Sequence, residues 1–225
     1  MQITEAVLQT WVGLIVALAI DQAVGEPPAR WHPVVWMGRY LQHAGAWLQA
    51  QVRRDDAPDL PSFWRGALAW WGGALLVLLP AGLLQALLWQ LPWTIGAALS
   101  GLLLKPLLSW RLLVHEVLAV EYALAQSLPA GQQHLARIVS RDVSQLDASQ
   151  VRESALESLA ENLNDSVIAP LVWFSLLGLP GAALYRYADT ADSMWGYRGH
   201  YRGQRWEWAG KWAARADDAL AWLPA

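Results

Sequence analysis

The sequence predicts an all-α integral membrane helical protein with three spans, a broken re-entrant hairpin and cytoplasmic amphipathic helices. Three observations carry that prediction. Of 225 residues, 55% are apolar and only 16% charged, with a mean hydropathy of +0.22; this is too apolar for disorder and lies on the membrane side of the soluble range. Uncharged runs near the roughly 20 residues that a spanning helix needs recur along the chain. All 16 Lys and Arg fall in three stretches: five from Arg30 to Arg65, five from Lys105 to Arg152 and six from Arg186 to Arg215. The absence of cysteine excludes a disulfide framework, a Cys-ligated metal and a thiolate nucleophile. A net charge of −3 with a pI near 5.9 argues against nucleic acid as a partner. The classes left are membrane enzyme, transporter and membrane-bound regulator.

The first span covers 6–24. It is uncharged to Ile20 and takes in Asp21, and no Lys or Arg precedes it, so it lacks the basic start of a cleaved signal peptide and reads as retained. Gly-Glu-Pro-Pro at 25–28 and Trp-His-Pro-Val at 31–34 form a turn-rich segment. His32 there is by default a structural hydrogen-bonding group, with general-base work the minority reading. The second span, 66–89, carries no formal charge and only Gln85 as a strongly polar side chain. Leu91-Pro92-Trp93 turns the chain into a third span, 93–114, passing Lys105 and Arg111. Trp64, Trp70 and Trp71 at one end, and Trp89 and Trp93 at the other, stand where aromatic belts form.

The run from Val167 to Tyr185 is uncharged but holds Pro170, Gly178, Pro180 and Gly181. Proline removes a backbone donor and glycine raises the entropy cost of helix, so Leu-Gly-Leu-Pro-Gly at 177–181 reads as a turn. A single crossing would leave ten cations on one side and six on the other, against the positive-inside tendency. A segment that dips in and returns keeps all 16 in the cytoplasm, with the N-terminus outside. Re-entrant backbone survives at membrane depth only against protein or a wet cavity, so 167–185 should line a pocket of a single membrane domain, 1–225.

Segments 116–165 and 186–225 are soluble in character. One helix should end near Pro-Ala-Gly at 129–131, a short helix should cover Gln132–Val139, and another should open at Ser149 or Gln150 and run towards Asn164. In the last, Val151, Ala155, Leu159 and Leu163 form a buried stripe. Beside it run Glu153, Glu157, Glu161 and Asp165, also four apart; such neighbours repel by about 0.2–0.5 kcal/mol per pair. A solvated acidic face is the bland reading and composition favours it. The functional reading is a site for Mg²⁺ carrying a nucleotide, and it gains from a stripe that points towards the re-entrant segment. After the hairpin, Asp189, Thr190, Asp192 and Ser193 precede Arg198, Arg202, Arg205, Lys211 and Arg215, a basic group suited to a phosphorylated ligand or to lipid headgroups. Trp208, Trp212, Ala216, Ala219 and Leu223 mark an amphipathic helix. There is no Walker A loop, GxGxxG, GxSxG or His-rich metal spacing.

Five ordered blocks, GEPPARWHPVVWMGR (25–39), IVSRDVSQL (138–146), RESALESLAENLNDSVIAPL (152–171), ADTADSMWGYR (188–198) and ARADDALAWLPA (214–225), resemble the signature blocks of the CbiB/CobD family of cobalamin-biosynthesis membrane proteins, the adenosylcobinamide-phosphate synthases. The resemblance implies an acid-amine ligase of the bacterial inner membrane, multi-pass, with its active face cytoplasmic. Its reaction would be an ATP- and Mg²⁺-dependent amide synthesis joining aminopropanol, or its phosphate, to a carboxylate of adenosylcobyric acid. On the matching positions it implies Glu157, Asp192 and Asp165 as catalytic, with Glu153, Glu157, Glu161 and Asp165 around metal. Arg141, Arg152, Arg198, Asn162, Ser193 and Asp217 would line the nucleotide and substrate. Partners implied are the corrinoid, the amine, the lipid bilayer, and a homo-oligomer or other cobalamin-pathway proteins.

Against the family pattern, Glu26 replaces aspartate, Ser140 glycine, Val143 threonine, Leu163 threonine, Ser166 glycine and Asp189 asparagine. Members also continue past the Leu-Pro at 223–224 with a further membrane segment and a Ser-Pro-Asn and Gly-rich block, so the resemblance implies a fragment, a short variant or a diverged paralogue. The alternative function is therefore a non-catalytic membrane regulatory or binding paralogue, AmpE-like. A transporter is disfavoured because the uncharged spans show no intramembrane ionisable pair.

Overall fold

The computed structural model describes residues 3–52 and 58–224; Arg53 and Arg54 of the first basic stretch lie outside them. The helices are α1 (Ile3–Val24), α2 (Pro33–Gln49), α3 (Leu60–Leu88), α4 (Trp93–Leu104), α5 (Trp110–Gln126), α6 (Leu128–Leu135), α7 (Ala148–Leu163), α8 (Ala169–Leu177), α9 (Leu179–Trp195) and α10 (Lys211–Ala221). A two-residue hairpin, β1 (His200–Tyr201) with β2 (Gln204–Arg205), precedes α10. Three segments are long and apolar enough to cross a bilayer: Thr4–Val24, Leu60–Leu88 and Trp93–Gln126. The protein is an all-α membrane protein.

Small residues let the spans approach. A Cβ on Gly101 of α4 would lie 2.6 Å from the Val16 side chain and 2.7 Å from the Gly13 carbonyl oxygen, so α1 and α4 pack nearly backbone to backbone. On α3, a Cβ at Gly73 would strike the Tyr187 hydroxyl, which donates to the Trp70 carbonyl at 3.0 Å. The opposite face of α3 carries Leu68, Leu75, Leu76, Leu79 and Leu83, all exposed, as a lipid-facing surface requires. Trp64, Trp71 and Trp89 are exposed as belt residues. Trp70 departs from that expectation: it is 3% exposed and packs on Tyr187 and Trp212, because its position on α3 faces α9 and α10.

The segment after α7 is a helical hairpin. α8 and α9 meet at Gly178, whose φ of 68° and ψ of −153° belong to a region only glycine adopts readily. There the Gln85 Oε1 accepts the Leu179 backbone N–H at 2.9 Å, which ties the tip to the C-terminal end of α3. The Tyr187 bond to Trp70 then runs α9 antiparallel to α3, so Trp195 ends near the N-terminal end of α3. The other arm starts beside the far end of α4: the Ser109 N–H, just past that end, donates to the Ser166 carbonyl at 3.1 Å.

Four boundaries differ from expectation, each for a local reason. The third span is not continuous over 93–114. Lys105–Leu107 forms a 3-10 turn and Leu108 is extended, since Pro106 supplies no N–H and Asp21 and Glu26 both hold Lys105. α3 opens at Leu60, because the Asp59 carboxylate accepts the Ser62 N–H at 3.1 Å and hydroxyl at 2.6 Å. α6 covers Leu128–Leu135 rather than Gln132–Val139, as Ser127 caps it and Pro129 sits in its first turn. α7 opens at Ala148 with Asp147 and Gln150 as a reciprocal capping box. Val151 and Ala155 join Val120, Leu124, Leu135 and Val143 in a second core, while Leu159 and Leu163 are half-buried.

Candidate functional site

A single π turn, Asn164–Ile168, joins α7 to α8, a local widening of the kind often found at functional sites. It turns Asp165 inward. The Asp165 Oδ1 accepts the Tyr185 hydroxyl at 3.1 Å and the Asn164 amide at 3.2 Å. Arg186, one residue on, is only 8% exposed. Its Nη1 lies 2.8 Å from Asp189 Oδ2, 3.2 Å from the Asp165 carbonyl and 3.4 Å from the Ser166 hydroxyl, so one guanidinium clasps α9 to the π turn. Asp192 follows on α9, and α10, packed along α9, brings Asp217 and Asp218.

The electrostatics are those of an acid cluster with one buried cation. Burial pushes Asp217 up to about 7, helped by Asp189, Asp192, Asp165 and Asp218. Burial likewise pushes Asp189 up to about 6; Arg186 opposes this while Asp165 and Asp192 add to it. Asp192 is raised by burial and then by Asp218 and Asp165. Asp217 Oδ1 and Arg186 Nε are both buried without a hydrogen-bond partner among the described residues. Such atoms are costly unless a further group meets them.

The structure thus brings together three of the residues expected from sequence, Asp165, Asp192 and Asp217. Ser193 is exposed next to them, its carbonyl accepting the Tyr197 hydroxyl at 3.0 Å. The remaining residues lie elsewhere. Twelve residues of helical rise put Glu153 and Asp165 about 18 Å apart, so one ion cannot hold Glu153, Glu157, Glu161 and Asp165 together. Glu153, Glu157 and Glu161 are exposed on α7. Arg141 bonds Glu157 at 2.8 Å and Ser154 at 2.5 Å, and Arg152 pairs with Glu121 at 2.8 and 3.0 Å; these are surface pairs of small energetic weight. The Asn162 amide donates within α7 to Ser158, and Arg198 is exposed beyond α9. Among the described residues no three His, Asp or Glu side chains form a ready metal cage. A hard cation that binds through one or two carboxylates plus substrate phosphates needs none.

Sequence reasoning missed Arg186, which it counted only as part of a basic stretch. A cation closing the apolar run 167–185, three residues before Asp189, was the available signal. It also missed a second buried network: Lys105 Nζ lies 3.2 Å from Asp21 Oδ1 and 3.2 Å from Glu26 Oε2, and the latter oxygen is 3.1 Å from His32 Nε2. Asp21 Oδ2 also accepts the Arg111 N–H at 2.8 Å. Burial works against ionised Glu26, but the His32 hydrogen bond and Lys105 outweigh it and hold its pKa below the usual range. One charge at the end of each of two apolar runs marks such a pair, and this one joins the ends of α1 and α4.

The family model described as CobD/Cbib protein matches residues 14–225. A "Probable cobalamin biosynthesis protein CobD" of Thermococcus kodakarensis is 41% identical over 214 residues, covering 95% of this chain and 67% of that protein. The "Cobalamin biosynthesis protein CobD" of Stutzerimonas stutzeri is 40% identical over 221 residues, 97% of this chain and 67% of the relative. That of Chromobacterium violaceum is 38% identical over 213 residues, 94% and 65%. The chain therefore spans about two thirds of the length of these curated relatives. No solved structure matches it.

Proposed function

The chain belongs to the CobD/Cbib family, and on that premise we propose that it acts in cobalamin biosynthesis, forming an amide between aminopropanol, or its phosphate, and a carboxylate of adenosylcobyric acid at the expense of ATP. The observation that supports this chemistry is the convergence of Asp165, Asp189, Asp192 and Asp217 around Arg186. A carboxylate becomes an acyl donor once one oxygen takes the terminal phosphoryl group of ATP. The amine then attacks the acyl carbon, phosphate leaves and the amine gives up a proton.

The residues fit those demands. Asp217, titrating near neutrality, can accept the amine's proton at physiological pH. Arg186, anchored by Asp189, carries an unpartnered buried Nε that can meet a phosphate or carboxylate oxygen. Asp165 and Asp192 are the carboxylates we assign to Mg²⁺ shared with nucleotide phosphates. Bound there, Mg²⁺ would neutralise phosphate charge. Arg186 and the Lys105 network mark the end of the bundle where the hairpin arms open, and we place that end at the cytoplasmic face of the bacterial inner membrane.

The test is direct. Vesicles bearing the full chain are given adenosylcobyric acid, ATP, Mg²⁺ and each amine in turn, and corrinoid mass is followed. A product heavier by the condensed amine, lost in Asp192→Asn and Asp217→Asn, is the expected result. Full activity in both variants would reject the assignment of the site, and no product with either amine would reject the reaction.

A further inference from the structure

α3 and α4 are joined by the short turn Trp89–Pro92, yet α4 packs along α1 and α3 along α9. The divergence opens a cavity of about 480 Å³ between them. Trp36 and Met37 of α2 roof it, Leu76 and Leu84 of α3 and Ala183 of α9 wall it, and Leu107 closes the other side. Its mouth is held in shape by the Glu26, His32 and Lys105 network, whose neighbours Trp31, Pro33 and Pro106 form the rim.

The chemistry of the lining selects an apolar occupant. The two hydroxyls that reach it are already used: Tyr40 donates to the Ala69 carbonyl at 2.7 Å and Tyr187 to that of Trp70 at 3.0 Å. A nucleotide or corrinoid would find nothing to replace its hydration. Leu76 and Leu84 are 63% and 40% exposed, so the groove opens sideways at bilayer depth. From Gly73 to Leu84 it follows about 16 Å of helix, the depth of one leaflet of a hydrocarbon core about 30 Å thick. At the mouth, exposed Arg30 lies over the Trp31 ring at 5.9 Å and makes no ion pair among the described residues. Arg39, also exposed, follows Trp36 by three residues on α2. A headgroup phosphate would meet both cations where exposed tryptophans mark the interface.

We propose that this groove seats one acyl chain of an anionic phospholipid whose phosphate is met by Arg30 and Arg39. The full chain is reconstituted into bilayers of equal phosphatidylglycerol and phosphatidylcholine, extracted into mild detergent and examined by native mass spectrometry. One phosphatidylglycerol per protein should survive, preferred several-fold over phosphatidylcholine. Ala81→Phe, which fills the groove, should cut retention of both lipids several-fold. Leu76→Trp, at an exposed position on the same wall, should do the same if Ala81→Phe fails to fold. Arg30→Ala with Arg39→Ala should abolish the headgroup preference. Equal retention of the two lipids by the unaltered protein, or retention unchanged in the groove-filling variants, would overturn the proposal. So would efficient lipid-free cross-linking of two copies through Leu76→Cys, which would give the groove to a second copy.

Discussion

The Oε1 of Gln85 on α3 accepts the backbone N–H of Leu179 at 2.9 Å, so a side chain near the C-terminal end of an apolar span caps the first turn of α9 at the tip of the hairpin. Gln85 and Leu179 are 7% and 3% exposed, so little water reaches the contact to take its place. Gln85→Leu should therefore leave a buried donor unsatisfied and cost about 1–3 kcal/mol. A lower melting temperature in detergent, by tryptophan fluorescence, is the expected reading; Gly178→Ala should lower it as well, because its Cβ would meet the same Oε1 in a backbone region closed to alanine.

Lys105, 4% exposed, neutralises Asp21, 0% exposed, and Glu26. Lys105→Met strands two carboxylates, and breaking a buried pair in this way costs roughly 3–5 kcal/mol. Adding Asp21→Asn to Lys105→Met should recover part of the loss in thermal melts; a double variant no better than the single one would show that the pair does not hold α1 to α4.

Asp189 and Asp217 titrate near 6 and 7 in the folded chain, against 3.8 for a free side chain. The folded state therefore keeps protons that the unfolded state releases. Their contribution to stability is fully present below about pH 4 and is lost as pH rises through 6 and 7. From pH 5.5 to pH 8 the melting temperature should fall, and Asp217→Asn should flatten that slope and melt higher than the unaltered protein at pH 8.

On the proposed reading, Mg²⁺ with ATP compensates the same charges. At pH 8 it should raise the melting temperature of the unaltered chain and have little effect on Asp192→Asn. Glu153→Gln and Glu161→Gln, on the exposed side of α7, should keep the response and at least half the activity.

Much of this was legible locally. The three apolar runs and the proline and glycine punctuation at 177–181 are properties of contiguous residues, and each predicted its element. The acidic periodicity of α7 was equally visible but pointed to the wrong partners: a four-residue repeat shows that Glu153, Glu157 and Glu161 share a helix face, not what that face meets. In the structure that face meets solvent and Arg141, and a π turn rotates Asp165 alone into the cluster.

By itself, then, the sequence determined the class of protein, the family and the order of its apolar helices, because hydropathy and turn chemistry act over a few residues. Only the tertiary structure decided that Asp165, Arg186, Asp189, Asp192 and Asp217 form one site and that Lys105 closes on Asp21 and Glu26. Apart from the Arg186–Asp189 pair within α9, those contacts join residues from separate segments, and which faces meet depends on how glycine-lined helices pack and rotate against one another.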